Sequence, residues 1–307
     1  MQECVSFADG SFLWGAVVSA DVELAGEKAV EVPIQLIDSS SPTRFSVPSE
    51  CTSGGGSNLN TVADLGANGR LGIGVFQQDC GDACTVSAGP NLYYLCSRSV
   101  CQGTTVPLTS QLQNPVWMFR QDNNGVLISL PSIPADGAPA ASGSLIFGIG
   151  TQSNNRLGNA QVYTTDLNGN FTTNYNGVAY DQSYIDSGSN AFYFLNSARV
   201  GIPGCRENPG WYCPSLPAVT FPPTFTVTNT GENGTSAEVT FSISNADVLF
   251  SAGPNAAFNN VGRPSGTGVS PSEYFDFGVP FFYGRDVFVG IENMPGPNGV
   301  VGPYWAY

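Results

Sequence analysis

Apolar residues in this chain come in short runs rich in Val, Ile, Phe and Tyr, cut off by Gly, Pro, Ser and Asn. The runs "VPIQLI" (32–37), "GVLISL" (125–130), "GSLIFGIG" (143–150), "TFTVTNTG" (224–231) and "AEVTFSIS" (237–244) are predicted strands bounded by turns. Few stretches hold a 3.6-residue period for ten residues; the short helix candidates are 108–114 and a turn at 196–200. The predicted fold class is therefore all-β with few short helices. "NGRLGIGVF" (68–76) and "FDFGVPFF" (275–282) are read as apolar-Gly strand elements, one in each half. "PSIPADGAPAASG" (131–143) lacks apolar periodicity and reads as a connector or a long hairpin loop. It separates an N-terminal part, 1–130, from a C-terminal part, 144–307. "TSGGGSN" (52–58) has the composition of a flexible surface loop.

Composition narrows the chemistry. The 307 residues carry 10 Lys+Arg against 24 Asp+Glu, a formal charge of −14, and no His. Without His there is no His-based triad and no imidazole acid–base catalysis. At −14, with Lys28 the only lysine, nucleic acid and anionic membrane surfaces are excluded as electrostatic partners. There is no apolar run long enough to span a bilayer. Chemistry that needs only carboxylates and water stays open, and no cofactor or metal is called for.

The eight cysteines are Cys4, Cys51, Cys80, Cys84, Cys96, Cys101, Cys205 and Cys213. An even number, mostly at local spacing, with few Lys and Glu, reads as a disulfide-bonded exported protein. The expected pairs are 4–51, 80–84, 96–101 and 205–213. The alternative, zinc held by Cys80, Cys84, Cys96 and Cys101, fits the usual ligand spacing poorly. The expected location is secreted, periplasmic or cell-surface, although no signal peptide precedes Gln2 in the sequence.

The motif with chemical content is "VAYDQSYIDSGSNAFYFL" (178–195), in which an apolar run ends at Ile185 and Asp186-Ser187-Gly188-Ser189 follows. A strand that presents a carboxylate at its end, a Gly for the turn, and flanking hydroxyls to hydrogen-bond the carboxylate suit an aspartate that activates water. Taken alone, such a tetrapeptide is also a common hairpin turn.

Other segments add to it in order. "FADGSFLWGAVVSADVELAGEKAVEVPIQLI" (7–37) looks like the flap hairpin of pepsin-like aspartic peptidases. "NGRLGIGVF", "GSLIFGIGTQ", "CRENPGWYC", "PAVTFPPTFTV" and "FDFGVPFFYGRDVFVGIE" resemble later segments of the same superfamily, and Asp186–Ser189 falls at its second D-T/S-G motif. "DNNGVLISLP", "FGIGTQSNN", "DSGSN" and "VPFFYGR" look more closely like a bacterial family carried as a domain of unknown function, a remote relative of the pepsins.

The resemblance implies a bilobal pepsin-like double β-barrel lacking the first strands of its N-terminal lobe. It makes Asp186 a catalytic aspartate, Ser187, Gly188 and Ser189 its supporting loop, and Phe7, Asp9, Gly10 and Ser11 the flap. Phe7 stands where the family has a tyrosine. The family's first D-T-G-S loop should precede the flap, and it is not in the sequence. Asp38-Ser39-Ser40-Ser41 lacks Gly and is read as a surface turn. One carboxylate cannot do the work of two that share a proton. Residues 1–307 alone are therefore expected to be inactive. Three expectations follow: an upstream segment or a complementing chain completes a peptidase, two copies meet at Asp186, or the protein binds a peptide or partner chain without catalysis.

Overall fold

β-Branched and aromatic residues at period two, punctuated by turn formers, build strands throughout. The computed structural model describes residues 1–7, 9–37, 45–89, 91–97, 100–215, 221–265 and 273–307. They divide into two compact units, Met1–Asn123 and Asn124–Tyr307.

The first unit holds β1 (Gln2–Ser6), β2 (Phe12–Leu24), β3 (Glu27–Leu36), β4 (Tyr93–Ser97) and β5 (Val100–Gly103). They pair antiparallel in the order β3-β2-β1-β4-β5. The sheet packs Cys4, Phe12, Trp14, Cys51 and Tyr94 into one cluster, with Trp14 edge-on to Tyr94 at 5.3 Å. Lys28, near the tip of the β2–β3 ribbon, pairs with Asp21 and Glu23 at 2.9 Å each.

The second unit holds β6 (Gly125–Leu130), β7 (Ser144–Phe147), β8 (Val162–Thr164), β9 (Phe171–Tyr175), β10 (Val178–Ile185), β11 (Phe192–Phe194), β12 (Thr224–Thr230), β13 (Ser236–Ser242), β14 (Gly262–Pro264), β15 (Asp276–Phe277), β16 (Arg285–Gly290) and β17 (Tyr304–Ala306). One sheet runs β13-β12-β9-β10-β15-β11-β14 and another β7-β6-β16-β17-β8. Its core is aromatic: Phe192 stacks on Phe241 at 4.5 Å, Phe194 meets Phe225 at 5.1 Å, and Phe277 meets Phe281 at 5.3 Å.

All-β is therefore the fold class, and the five runs singled out first all contain strands. Several finer expectations change. Among the described residues no sheet closes into a barrel; each is an open run with two edge strands. Edge strands β7, β8 and β14 have only four, three and three residues, and β14 ends in Pro264, which has no N–H for a ladder. Residues 68–76 form no strand. The carbonyls of Gly74 and Phe76 accept from Asn114 Nδ2 at 3.1 and 3.2 Å instead of from a neighbouring strand. In 275–282 the strand lasts two residues and turns into a helix at Val279–Phe282, with Pro280 in its first turn. Within 108–114 only Leu108–Ser110 is helical, whereas Asn196 caps Ser197–Val200 as expected. The units divide before β6, so 131–143 is a hairpin loop inside the second unit, joining the paired strands β6 and β7.

All four expected disulfides are present: Cys4–Cys51, Cys80–Cys84, Cys96–Cys101 and Cys205–Cys213. Every thiol of the zinc alternative is consumed by them. Four disulfides are typical of extracytoplasmic proteins. Among the described residues no helix is long and apolar enough to cross a membrane.

Candidate functional site

The Asp186 loop is built by a strand crossing. Strands β10 and β11 are consecutive around the loop, yet they do not pair. The two-residue β15 lies between them, parallel to β10 (Tyr184 opposite Asp276, Ile185 opposite Phe277) and antiparallel to β11 (Phe192 opposite Phe277, Tyr193 opposite Asp276). The loop is tied to this inserted strand by Asp186 N–H to Phe277 O at 3.2 Å and Val279 N–H to Ser189 O at 2.7 Å. Gly278 is required at the crossing: a Cβ there would lie 2.1 Å from Ala191 O and 2.5 Å from Ser189 O. No side chain fits that gap.

Asp186 is half-buried at the end of β10. Its Oδ1 accepts the Gly188 N–H at 2.8 Å, and its Oδ2 lies 3.0 Å from Ser189 Oγ. Gly188 does not need positive φ; its role is clearance, since a Cβ would stand 3.1 Å from Asp186 Oδ1. Ser187 is exposed and does not hydrogen-bond the carboxylate, which corrects its expected role. Ser189 Oγ also lies 2.6 Å from Asp276 Oδ2.

Sequence reasoning missed Asp276, the second carboxyl of this loop. It is 5% exposed, and its Oδ1 has no hydrogen-bond partner among the described residues. Burial first, and the nearby Asp186 charge, push its pKa up to about 8, although the Ser189 hydrogen bond pulls it down. The available signal was an acid inside the apolar run "FDFGVPFF", since a carboxyl in a buried strand needs a partner.

The expected flap residues form a hairpin turn of the first unit, between β1 and β2. Phe7 N–H donates to Ser11 O at 2.8 Å and Gly10 N–H to Phe7 O at 2.9 Å. Asp9 Oδ1 accepts from Ser11 N and Oγ at 2.9 and 2.6 Å, and these bonds hold the Asp9 carboxyl below its usual range. Arg70 lies over the Phe7 ring at 4.3 Å. The glycine tract of 52–58 packs against this turn: Gly56 N–H donates to Gly10 O at 3.0 Å, and a Cβ on Gly54 would meet Gly10 Cα at 2.7 Å. Asp38–Ser41, read as a turn, lies outside the described residues.

The first unit holds a second acidic pair that the sequence did not disclose. Glu3, on β1, is fully buried, and among the described residues neither of its oxygens accepts from an N–H or O–H donor. What it meets is the carboxyl of Asp79. Asp79 is exposed overall, and its Oδ1 accepts the Tyr93 hydroxyl at 2.6 Å, while Tyr93 Oη accepts the Leu112 N–H at 2.7 Å. Burial, then the Asp79 carboxyl, push the Glu3 pKa far up, and burial raises Asp79 as well, so the pair keeps a proton between its two carboxyls. In the second unit, the disulfide partners Cys205 and Cys213 lie close to Asp247. Both sulfurs there are bonded to each other, and Asp247 accepts the Arg206, Glu207 and Asn208 N–H groups, so this cluster orders a loop.

No curated protein matches the chain in sequence. A family described as a protein of unknown function, DUF3443, matches all of residues 1–307, and the chain belongs to that family.

Proposed function

We propose that this protein is a remote aspartic-peptidase relative that is exported, that its two units correspond to the two lobes of a pepsin-like fold, and that Asp186 is one of its two catalytic carboxylates. One observation carries the reading: a strand delivers Asp186 to a D-S-G-S loop in which a backbone N–H holds one carboxylate oxygen and a serine hydroxyl meets the other. In the reaction, a water held between two carboxylates that share one proton attacks a peptide carbonyl, with no metal. Asp276 is not that second carboxylate. Its Oδ1 is buried and its Oδ2 lies on Ser189, so it cannot face a water across from Asp186. The reading takes the second carboxylate from a D-T/S-G segment upstream of the hairpin at 7–11, or from a complementing chain, and residues 1–307 alone retain only peptide binding.

The test is cleavage of an unfolded protein at pH 3–5 by the protein isolated from its source, beside its Asp186→Ala variant. Loss of an acid–base group costs about 10²- to 10⁴-fold in rate. Undiminished cleavage by Asp186→Ala would sink the assignment.

A second reading, binding of a peptide or partner strand without hydrolysis, draws on the first unit's sheet. Its edge strands β3 and β5 expose Val30 (55%), Leu36 (49%) and Val100 (62%), an apolar edge open to strand addition. Peptide binding by the source protein with no cleavage between pH 3 and 7 selects it.

A further inference from the structure

Ser189 Oγ stands between two carboxyls, 3.0 Å from Asp186 Oδ2 and 2.6 Å from Asp276 Oδ2. A serine hydroxyl has one proton to give and two lone pairs to receive with. It cannot donate to both neighbours, so one carboxyl must itself be protonated and donate to the serine. The surroundings decide which. Asp186 is half-buried, and its Oδ1 already holds the Gly188 N–H. Asp276 is buried, and its second oxygen has no donor, a setting that disfavours charge.

We propose that Asp276 is a positioning residue for Asp186: its carboxyl proton is donated to Ser189 Oγ, which turns the Ser189 proton onto Asp186 Oδ2 and holds Asp186 as the ionised member. The proposal rests on Asp186 being the working carboxylate. It adds a third carboxyl to the site, one that acts only through the serine.

The groups around Asp276 set when this arrangement fails. Asp186 and Tyr184 flank it from β10 and its loop, Tyr193 from β11, and Tyr274 from the approach to β15. Arg263 stands beyond the Tyr193 ring, 5.5 Å from its centroid, and among the described residues no cation acts directly on Asp276. As pH rises through about 8, Asp276 ionises. Two carboxylates then compete for one hydroxyl proton and repel each other, and Asp186 loses its fixed hydrogen bond. The site is thereby confined to neutral and acidic conditions.

The experiment is NMR titration of the whole chain with aspartate labelled at the carboxyl carbon, with Asp186→Asn used to assign the Asp186 signal and Asp276→Asn the Asp276 signal. In the unsubstituted chain, Asp276 is expected to titrate near pH 8, and the Asp186 signal to show a second step at the same pH. In Asp276→Asn the amide donates to Ser189 in place of the carboxyl proton, and the second step at Asp186 disappears. Ser189→Ala shrinks that step to the through-space effect of the Asp276 charge. Titration of Asp276 below pH 5 in the unsubstituted chain overturns the proposal, whether or not any variant folds. If the source protein cleaves peptides, Asp276→Asn extends its activity to higher pH. No cleavage at all, with both NMR steps present, sinks the peptidase reading and leaves the proton arrangement standing.

Discussion

Glu3 meets Asp79 carboxyl to carboxyl, with Glu3 sealed in the first unit and Asp79 at its rim on the Tyr93 hydroxyl. Such a pair is stable only while a proton lies between the two groups. An unfolded chain releases that proton near the ordinary Glu value of about 4.3. The folded chain keeps it well above neutrality, because burial and the Asp79 carboxyl both resist a second charge. Asp276 behaves in the same way, holding its proton up to about 8. Between the unfolded and folded values the native state binds more protons than the unfolded state, so stability falls as pH rises. Each buried group contributes roughly 1.4 kcal/mol per pH unit within its window. The urea midpoint is therefore expected to be higher at pH 5 than at pH 8.5. Below pH 4 it should fall again, as the hydrogen-bonded Asp9 and Asp247 are protonated. A midpoint that is flat or rising from pH 5 to 8.5 contradicts the proton placement.

Substitution of Glu3 separates this effect from the mutual repulsion of surface acids. Glu3→Gln keeps a donor toward Asp79 but cannot ionise, so the fall above pH 5 should lose the part due to Glu3. Salt should leave that part of the wild-type slope in place, since screening reaches surface charges far more than buried ones. Glu3→Ala leaves a cavity and removes the donor, at a cost of about 2–4 kcal/mol at pH 5. Equal pH slopes in wild type and Glu3→Gln would remove Glu3 from the account.

The strand content and the three disulfides that span 4, 5 and 8 positions were legible in the sequence, because period-two patterning and close cysteine spacing are local signals; Cys4–Cys51, 47 positions apart, carries no such signal. The Asp186 loop was legible for the same reason: strand, carboxylate, glycine and hydroxyl are contiguous in "YIDSGS". What escaped was set by long-range contact. Ser189 and Asp276 are 87 positions apart, and their meeting depends on β15 slipping between β10 and β11. Glu3 and Asp79 are likewise far apart in the chain. Residues 68–76 failed as a strand because Asn114, far along the chain, satisfies carbonyls that a strand partner would otherwise take. The barrel expectation rested on resemblance, and among the described residues strand pairing supplied only open sheets.

The disulfides should differ in what they contribute. Cys4–Cys51 closes a separation of 47 residues and joins two residues that are each 2% exposed, within the Trp14 cluster. Cys96–Cys101 closes a separation of 5 between adjacent strands. Loop-closure entropy gives roughly 4 kcal/mol for the first and roughly 2 kcal/mol for the second. Replacing both cysteines of each pair with serine, one pair at a time, should lower the urea midpoint about twice as far for Cys4/Cys51. The reverse order would mean that these bonds do not act chiefly by restricting the unfolded chain.

Gly278 and Gly188 both flank the aspartate loop, but for different reasons, and alanine distinguishes them. At Gly278 the added Cβ meets two backbone carbonyls, at 2.1 and 2.5 Å, and neither can move without pulling β15 away from β11. Gly278→Ala is therefore expected to cost about 3 kcal/mol or more, as overpacking without relief does. It should also release Ser189 from Asp276. At Gly188 the nearest atom is Asp186 Oδ1 at 3.1 Å, the end of a side chain that can shift by a few tenths of an ångström. Gly188→Ala should cost less than about 1.5 kcal/mol, within the range of tolerated small changes, while lengthening the Gly188 N–H bond to Asp186. Thermal melts of the two variants decide the matter. A larger loss at Gly188 than at Gly278 would show that the strand crossing does not hold the loop in place.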